Sequence, residues 1–178
     1  SEAVGIPVDK MVEEGTLAVN EIEPLDLSPE EFASMVREEV EERDTNVVMI
    51  DGIKGYTLSI QGDEDELVRK LHALGRYLKN MGVTVIFLDE VGTVSGEFRP
   101  TESGISYLAD NILFLRYAEM GAEIGKVAGV LKKRVGTFER TLRPFGIDTG
   151  GVTVGEPLSD VSGLLTGSPS FGDADGSK

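Results

Sequence analysis

Cysteine and tryptophan are absent from this sequence, and histidine occurs once, at His72. Without thiols the chain has no disulfides and no thiolate nucleophile. A structural zinc site needs several nitrogen or sulfur ligands converging on one metal, which a single histidine does not supply. No apolar run reaches the roughly 18 residues that mark a membrane span, and no basic segment followed by an apolar stretch reads as a signal peptide; the reading is a cytoplasmic protein without a membrane partner. Cations are scarce as well, 17 Lys and Arg against 32 Asp and Glu, for a net charge of −15. The acidity is spread along the chain, and such a surface repels phosphate backbones, which argues against free nucleic acid as a partner. Dispersed acidity also suits a halophilic protein, whose self-repulsion is screened by a salt-rich cytoplasm.

What is present is enough for one respectable core: 178 residues, 40% of them apolar. Residues 1–161 carry the periodic patterns and are expected to form a single domain. Residues 162–178, ending GSPSFGDADGSK, are rich in Gly, Ser and Asp and are expected to be a flexible tail, because they bury too little apolar surface to offset ordering. Leu17 to Val19 with Ile22, stopping at Pro24, reads as an edge strand. Ser28, Pro29 and Glu31 spell a capped helix start, and Phe32, Met35, Val36 and Val40 follow at helical spacing. Val47 to Ile50 is a continuous apolar run, the mark of a strand covered on both faces. A second helix follows Asp63, with Leu67, Leu71, Leu74 and Leu78 on one face and Gly82 to end it, and Val83 to Leu88 is the next strand. Strand, helix and strand at these lengths make a right-handed βαβ unit with a parallel sheet. After a loop at 91–103, consecutive strands are expected near 111–117, 126–133 and 137–145, with a turn at Val135-Gly136 and a last short strand at Val152 to Val154.

Ligands of open α/β sheets sit at the carboxyl ends of the strands. VVMID, ending at Asp51, fits the Walker B pattern, whose carboxylate helps hold Mg²⁺ in phosphate-loop ATPases; it equally fits a strand followed by an Asp-Gly turn. Asp89 and Glu90 end the next strand on the same presumed ligand side, where they read as phosphate sensors or as turn residues. A phosphate-cradling loop, G-x-x-x-x-G-K-[ST], is missing: Gly125-Lys126 is the only Gly-Lys pair, with Met120 in place of the first Gly and Val127 after the Lys. Lys132 and Arg134, two apart in a strand, share a face. Charges there also serve to protect a hairpin edge from aggregation.

The stretch ILFLRYAEMGAEIGKVAGVLKKRVGTFERTLRPFGI, from Ile112 to Ile147, resembles the end of the RecA-like core in the KaiC family and its archaeal relatives of the GvpD type. VTVGEPLSDVSGLLTGSP, from Val152, resembles the ending of these domains, and the likeness extends back through VTVIFLDE and VVMID. The resemblance implies an α/β fold, a RecA-like core with a parallel sheet flanked by helices and a C-terminal antiparallel extension, its phosphate-loop portion lying outside this sequence. It implies an ATPase that forms homo-oligomeric rings with ATP and Mg²⁺ between subunits, autokinase activity in some relatives, Asp51 on the Mg²⁺, Asp89 and Glu90 beside the nucleotide, and Lys132 and Arg134 as a Lys-x-Arg finger reaching the neighbouring subunit's γ-phosphate. Asp110 resembles an Asp common before this strand in the family, and also reads as a residue that positions the strand start. Glu119 and Glu123 fall at interface-like positions or are plain surface charge. Ser1 in place of Met favours a fragment, and the chain alone is not expected to bind ATP tightly. The alternative is a non-catalytic regulatory or signalling module with a signalling protein as partner.

Overall fold

The computed structural model describes residues 4–23, 26–52, 64–90, 108–120, 123–159, 161–163 and 170–171. The loop 91–103, Pro24, Asp63 and most of the tail lie outside the described residues. The chain divides into two compact units, one made of Asn20–Gly92 with Pro100–Leu108, the other of Ser1–Val19, Thr93–Arg99 and Ala109–Lys178.

In the first unit, helix α2 (Pro29–Arg43) starts as its sequence dictates. The Glu31 N–H donates to Ser28 Oγ at 3.3 Å and the Ser28 N–H donates to Glu31 Oε2 at 2.8 Å, so two otherwise orphaned donors are satisfied reciprocally. Helix α3 (Glu64–Asn80) is closed off just beyond its end by Gly82, whose φ of 80° only glycine adopts cheaply. The Gly82 N–H donates to Lys79 O and the Val83 N–H to Leu78 O, which closes the helix and delivers Val83 to the core beside Leu78. Phe32, Val36 and Val40 of α2 meet Leu74, Leu78 and Val83, with Ile22, Val48, Ile50 and Val85 packed against them. Polar ties hold the two helices as well: the Tyr77 hydroxyl donates to a Glu41 carboxylate oxygen, Arg37 stacks 4.6 Å from the Tyr77 ring centre, and Lys70 Nζ lies 2.9 Å from Glu30 Oε1.

Strands β1 (Val47–Asp51) and β2 (Thr84–Leu88) pair in parallel, Val47 beside Thr84 through Asp51 beside Leu88, as a βαβ unit requires. Their continuous apolar runs predict cover on both faces, yet burial alternates along both strands. Val48, Ile50 and Val85 face the helical core, whereas Val47, Met49, Ile86 and Leu88 are exposed. Among the described residues only one face of this two-stranded sheet is covered.

The second unit opens with a short helix, α1 (Val8–Glu13), that the spacing does not announce. The expected strand at Leu17 to Ile22 does not form. The N–H groups of Thr16 and Leu17 both donate to Met11 O, closing the end of α1 and removing donors that a ladder would need. An antiparallel sheet follows in the order β3-β4-β5-β6, from Asn111–Met120, Glu123–Lys133, Arg143–Asp148 and Gly151–Val154. Gly125-Lys126 lies inside β4 rather than ahead of it. The chain turns back at 134–136, where Gly136 has φ 82°, but the ladder between β4 and β5 forms only at Val127↔Pro144 and Ala128↔Arg143. The return strand thus runs from Arg143 to Asp148 instead of 137–145. Its start is fixed by Arg143, which donates from Nε to Glu139 Oε1 at 3.0 Å and from Nη1 to Gly155 O at 2.8 Å. Phe114, Ala118 and Val127 are buried on one face, with Leu142 and Leu158 against Ala118 and Val127. In the tail region β7 (Val161–Ser162) pairs with β8 (Ser170–Phe171).

Candidate functional site

Parallel strands end on the same edge, so β1 and β2 bring their carboxyl ends together. Asp51 closes β1 beside Leu88, and Asp89 and Glu90 continue past β2. All three are exposed. Gly52 follows Asp51 with φ 77°, a sharp exit that leaves the carboxylate at the strand terminus. Mg²⁺ takes one or two protein carboxylates and fills its remaining positions with water and phosphate oxygens, so a single strand-end Asp fits a share of such a site. Among the described residues no three His, Asp or Glu side chains are grouped to hold a metal by themselves. The sequence contains no phosphate cradle. The residues present therefore fit one edge of a Mg-nucleotide site and do not fit a complete one.

The second group sits in the other unit, at the open end of the β3–β4 hairpin. The register places Ile112 opposite Lys132 but Leu113 opposite Val130, which leaves Leu131 as the extra residue of a bulge. Residues directly opposite each other share a face of the sheet. Lys132 is thereby on the face of Ile112, and it is half-buried. Lys133 Nζ donates to Thr137 O at 3.2 Å, folding that lysine onto the loop. Strand β4 ends at Lys133, but one more backbone bond carries the pairing on: the Arg134 N–H donates to Asp110 O at 2.8 Å. The Arg134 guanidinium lies 2.8 Å, through Nη1, from Asp110 Oδ1, with 51% of its side chain exposed.

Further along the chain, the Glu139 carboxyl is held below the usual carboxylate range, first by the Thr141 hydroxyl and then by Arg143. Sequence reasoning passed over the partnership of Glu139, Thr141 and Arg143, and it did not connect Asp110, read as a family-like Asp or a strand-start residue, with Arg134. The signal for Asp110 was one register away: an acidic residue just before β3 and a basic one just after β4. A hollow of about 130 Å³ lies between α2 and α3, lined by Ala33, Arg37, Lys70 and Leu74 among others, and no strand-end residue lines it.

A family model described as "ATPase: KaiC" matches residues 1–159. The chain is 26% identical over 169 residues to the circadian clock protein KaiC3 of Synechocystis, covering 94% of this chain and 33% of that protein. It is 25% identical over 166 residues to the circadian clock oscillator protein KaiC of Picosynechococcus, covering 93% of this chain and 32% of that protein. It thus spans about a third of the length of these curated relatives. Among solved structures, a KaiC-like protein from the hyperthermophilic archaeon Pyrococcus horikoshii superposes with a TM-score of 0.70 at 24% identity, over 85% of this chain and 66% of that one, which bears on the fold alone. The parallel βαβ unit, the antiparallel extension and a family match over most of the sequence lead to one conclusion: this chain belongs to the KaiC family of RecA-like ATPases.

Proposed function

We propose that the chain is the C-terminal part of a KaiC-like ATP-binding domain that contributes to two nucleotide sites in a ring of identical subunits. Asp51 is the Mg²⁺-side carboxylate of one site, with Asp89 and Glu90 on the same strand-end edge. Lys132 and Arg134 serve the site of an adjacent subunit, where a bound nucleotide supplies a phosphoryl group whose charge their cations stabilise. The observation that supports this reading is the place of Arg134: it sits at an open hairpin end with half of its side chain exposed. The cradle for the phosphates comes from residues outside this sequence, so the chain alone is inactive.

Activity of mixed rings tests this. A subunit lacking its phosphate-loop lysine and a subunit carrying Arg134→Ala are each expected to be inactive, and together to regain turnover, since some interfaces then hold both halves. A cation delivered in trans contributes about 10³-fold or more in rate. Full activity of Arg134→Ala, or mixed rings that form and stay inactive, would refute the role in trans.

A second reading is a regulatory or signalling module that keeps the fold without the chemistry. It is favoured by the pairing of Arg134 with Asp110 in the same chain, which meets the charge of the finger without a nucleotide.

A further inference from the structure

We infer that Asp110 is a positioning residue for Arg134, gripping its backbone and its guanidinium together and so fixing the direction in which the rest of that guanidinium is presented. The inference rests on the role of Arg134 proposed above.

The grip is a consequence of register. With Asn111 opposite Lys133, the next pair outward is Asp110 and Arg134, and the bulge at Leu131 sets that pairing. A ladder continued without the bulge from Leu113↔Val130 would bring Lys133 opposite Asp110, and Arg134 would lose its partner. Asp110 then acts twice. Its carbonyl accepts the Arg134 N–H at 2.8 Å, and its Oδ1 lies 2.8 Å from Nη1. The contact is a close charge pair through Nη1 and not the fork-on-fork pairing of a bidentate bridge. The N–H groups on Nε and Nη2 are not used by it, and they form an edge able to meet phosphate oxygens.

An ion pair this exposed contributes little to stability, so its value lies in orientation. An arginine must surrender much rotamer freedom when it binds an anion, and a side chain already held surrenders less. Neither neighbouring cation is placed in the same way, Lys133 being folded onto Thr137 O and Lys132 being half-buried.

The direct test is nuclear magnetic resonance of the 178-residue chain, following the Arg134 Nε–Hε signal. It is expected to show restricted motion in the wild type, to loosen in Asp110→Asn and to become fully mobile in Asp110→Ala, with the β3–β4 amide signals retained. Because either substitution could disturb the hairpin, the wild type provides a second measurement: raising KCl from about 0.1 to about 1 M, which screens exposed pairs, should free the same signal while the amides stay protected. A wild-type Arg134 already as mobile as a solvated arginine, or one unaffected by both substitutions, overturns the inference. In the assembled ATPase, Asp110→Asn should lower kcat about tenfold with KM within about twofold, the signature of lost orientation. An inactive Arg134→Ala beside an Asp110→Asn with full kcat refutes the positioning role alone. A fully active Arg134→Ala removes the proposed function and this inference together.

Discussion

Gly129→Ala adds one methyl group to the place where the second unit has least room. Gly129 lies in β4 directly opposite Phe114. A Cβ there would stand 2.6 and 2.7 Å from Phe114 Cε1 and Cζ and 2.8 Å from Leu142 Cδ2, whereas carbon atoms rest comfortably at about 3.5 Å or more. The ring and the leucine must each retreat by roughly 0.7–0.9 Å, and Phe114 is only 7% exposed, so it has no solvent to retreat into. Overpacking of this kind costs about 1–3 kcal/mol, and two displaced groups argue for about 2–3. Removing a strand glycine returns about 0.5–1 kcal/mol of backbone entropy, which leaves a net loss of about 1–2.5 kcal/mol. For a chain of this size each kcal/mol moves the midpoint by about 2–4 °C, so Gly129→Ala should melt about 2–10 °C lower, read by circular dichroism. Gly75→Ala is the control, because nothing lies within 4 Å of its added Cβ in helix α3 and the same chemical change should there stabilise by about 1 kcal/mol. Adding Phe114→Leu to Gly129→Ala should recover part of the loss through a favourable coupling between the two sites. A Gly129→Ala midpoint at or above the wild type would refute the packing argument.

Three further outcomes are expected. The carboxyls of Glu31, held low first by the Ser28 backbone N–H and then by its hydroxyl, and of Glu139, held low first by the Thr141 hydroxyl, have folded values depressed below their unfolded ones; their stabilisation is complete above the unfolded pKa of about 4.3 and lost as pH falls through the folded values. Glu31→Gln and Glu139→Gln should therefore each flatten the acid limb of a stability-against-pH curve below about pH 4.3, and an unchanged limb would count against these bonds. Melting midpoints should climb from low to molar KCl, since dispersed like charges at a net −15 oppose compaction until screened; a flat or falling midpoint removes the support for a halophilic origin. Calorimetry of the chain alone should detect at best weak Mg-ATP binding, and micromolar binding that vanishes in Asp51→Ala would mean that a phosphate site is present after all.

The elements most legible in the sequence were those whose signals are local. Ser28-Pro29 with Glu31 fixed the start of α2, Gly82 fixed the end of α3, and the run Val47 to Ile50 announced a strand that does pair in parallel with the next. Where the sequence misled, a distant partner decided. The apolar pattern of β1 and β2 cannot say whether a second layer is present, and Val47 and Met49 stand exposed among the described residues. Leu17 to Val19 had the composition of a strand, but the N–H groups of Thr16 and Leu17 are spent on Met11 O. The strand expected from Thr137 begins only at Arg143, which is anchored by Glu139 and Gly155 O.

At the hairpin end, the expectation that Lys132 and Arg134 share a face stands on an incomplete argument. Simple alternation puts Lys132 and Arg134 on one side of β4, and so does the observed register, yet the two accounts choose opposite faces. Counted outward from Val130, which lies opposite Leu113, alternation places both cations on the face of Leu113 and Leu115, whose side chains are 71% and 67% exposed. The bulge at Leu131 inserts one residue and moves both to the face of Ile112 and Asp110, because a one-residue slip exchanges the two faces of a strand. No periodicity in the sequence marks that slip, since Val130-Leu131 continues an apolar run in either case. The acidic residue waiting at position 110 is its only local sign. If the cations act on a neighbour's nucleotide, that single extra residue selects which side of the sheet the neighbour must approach.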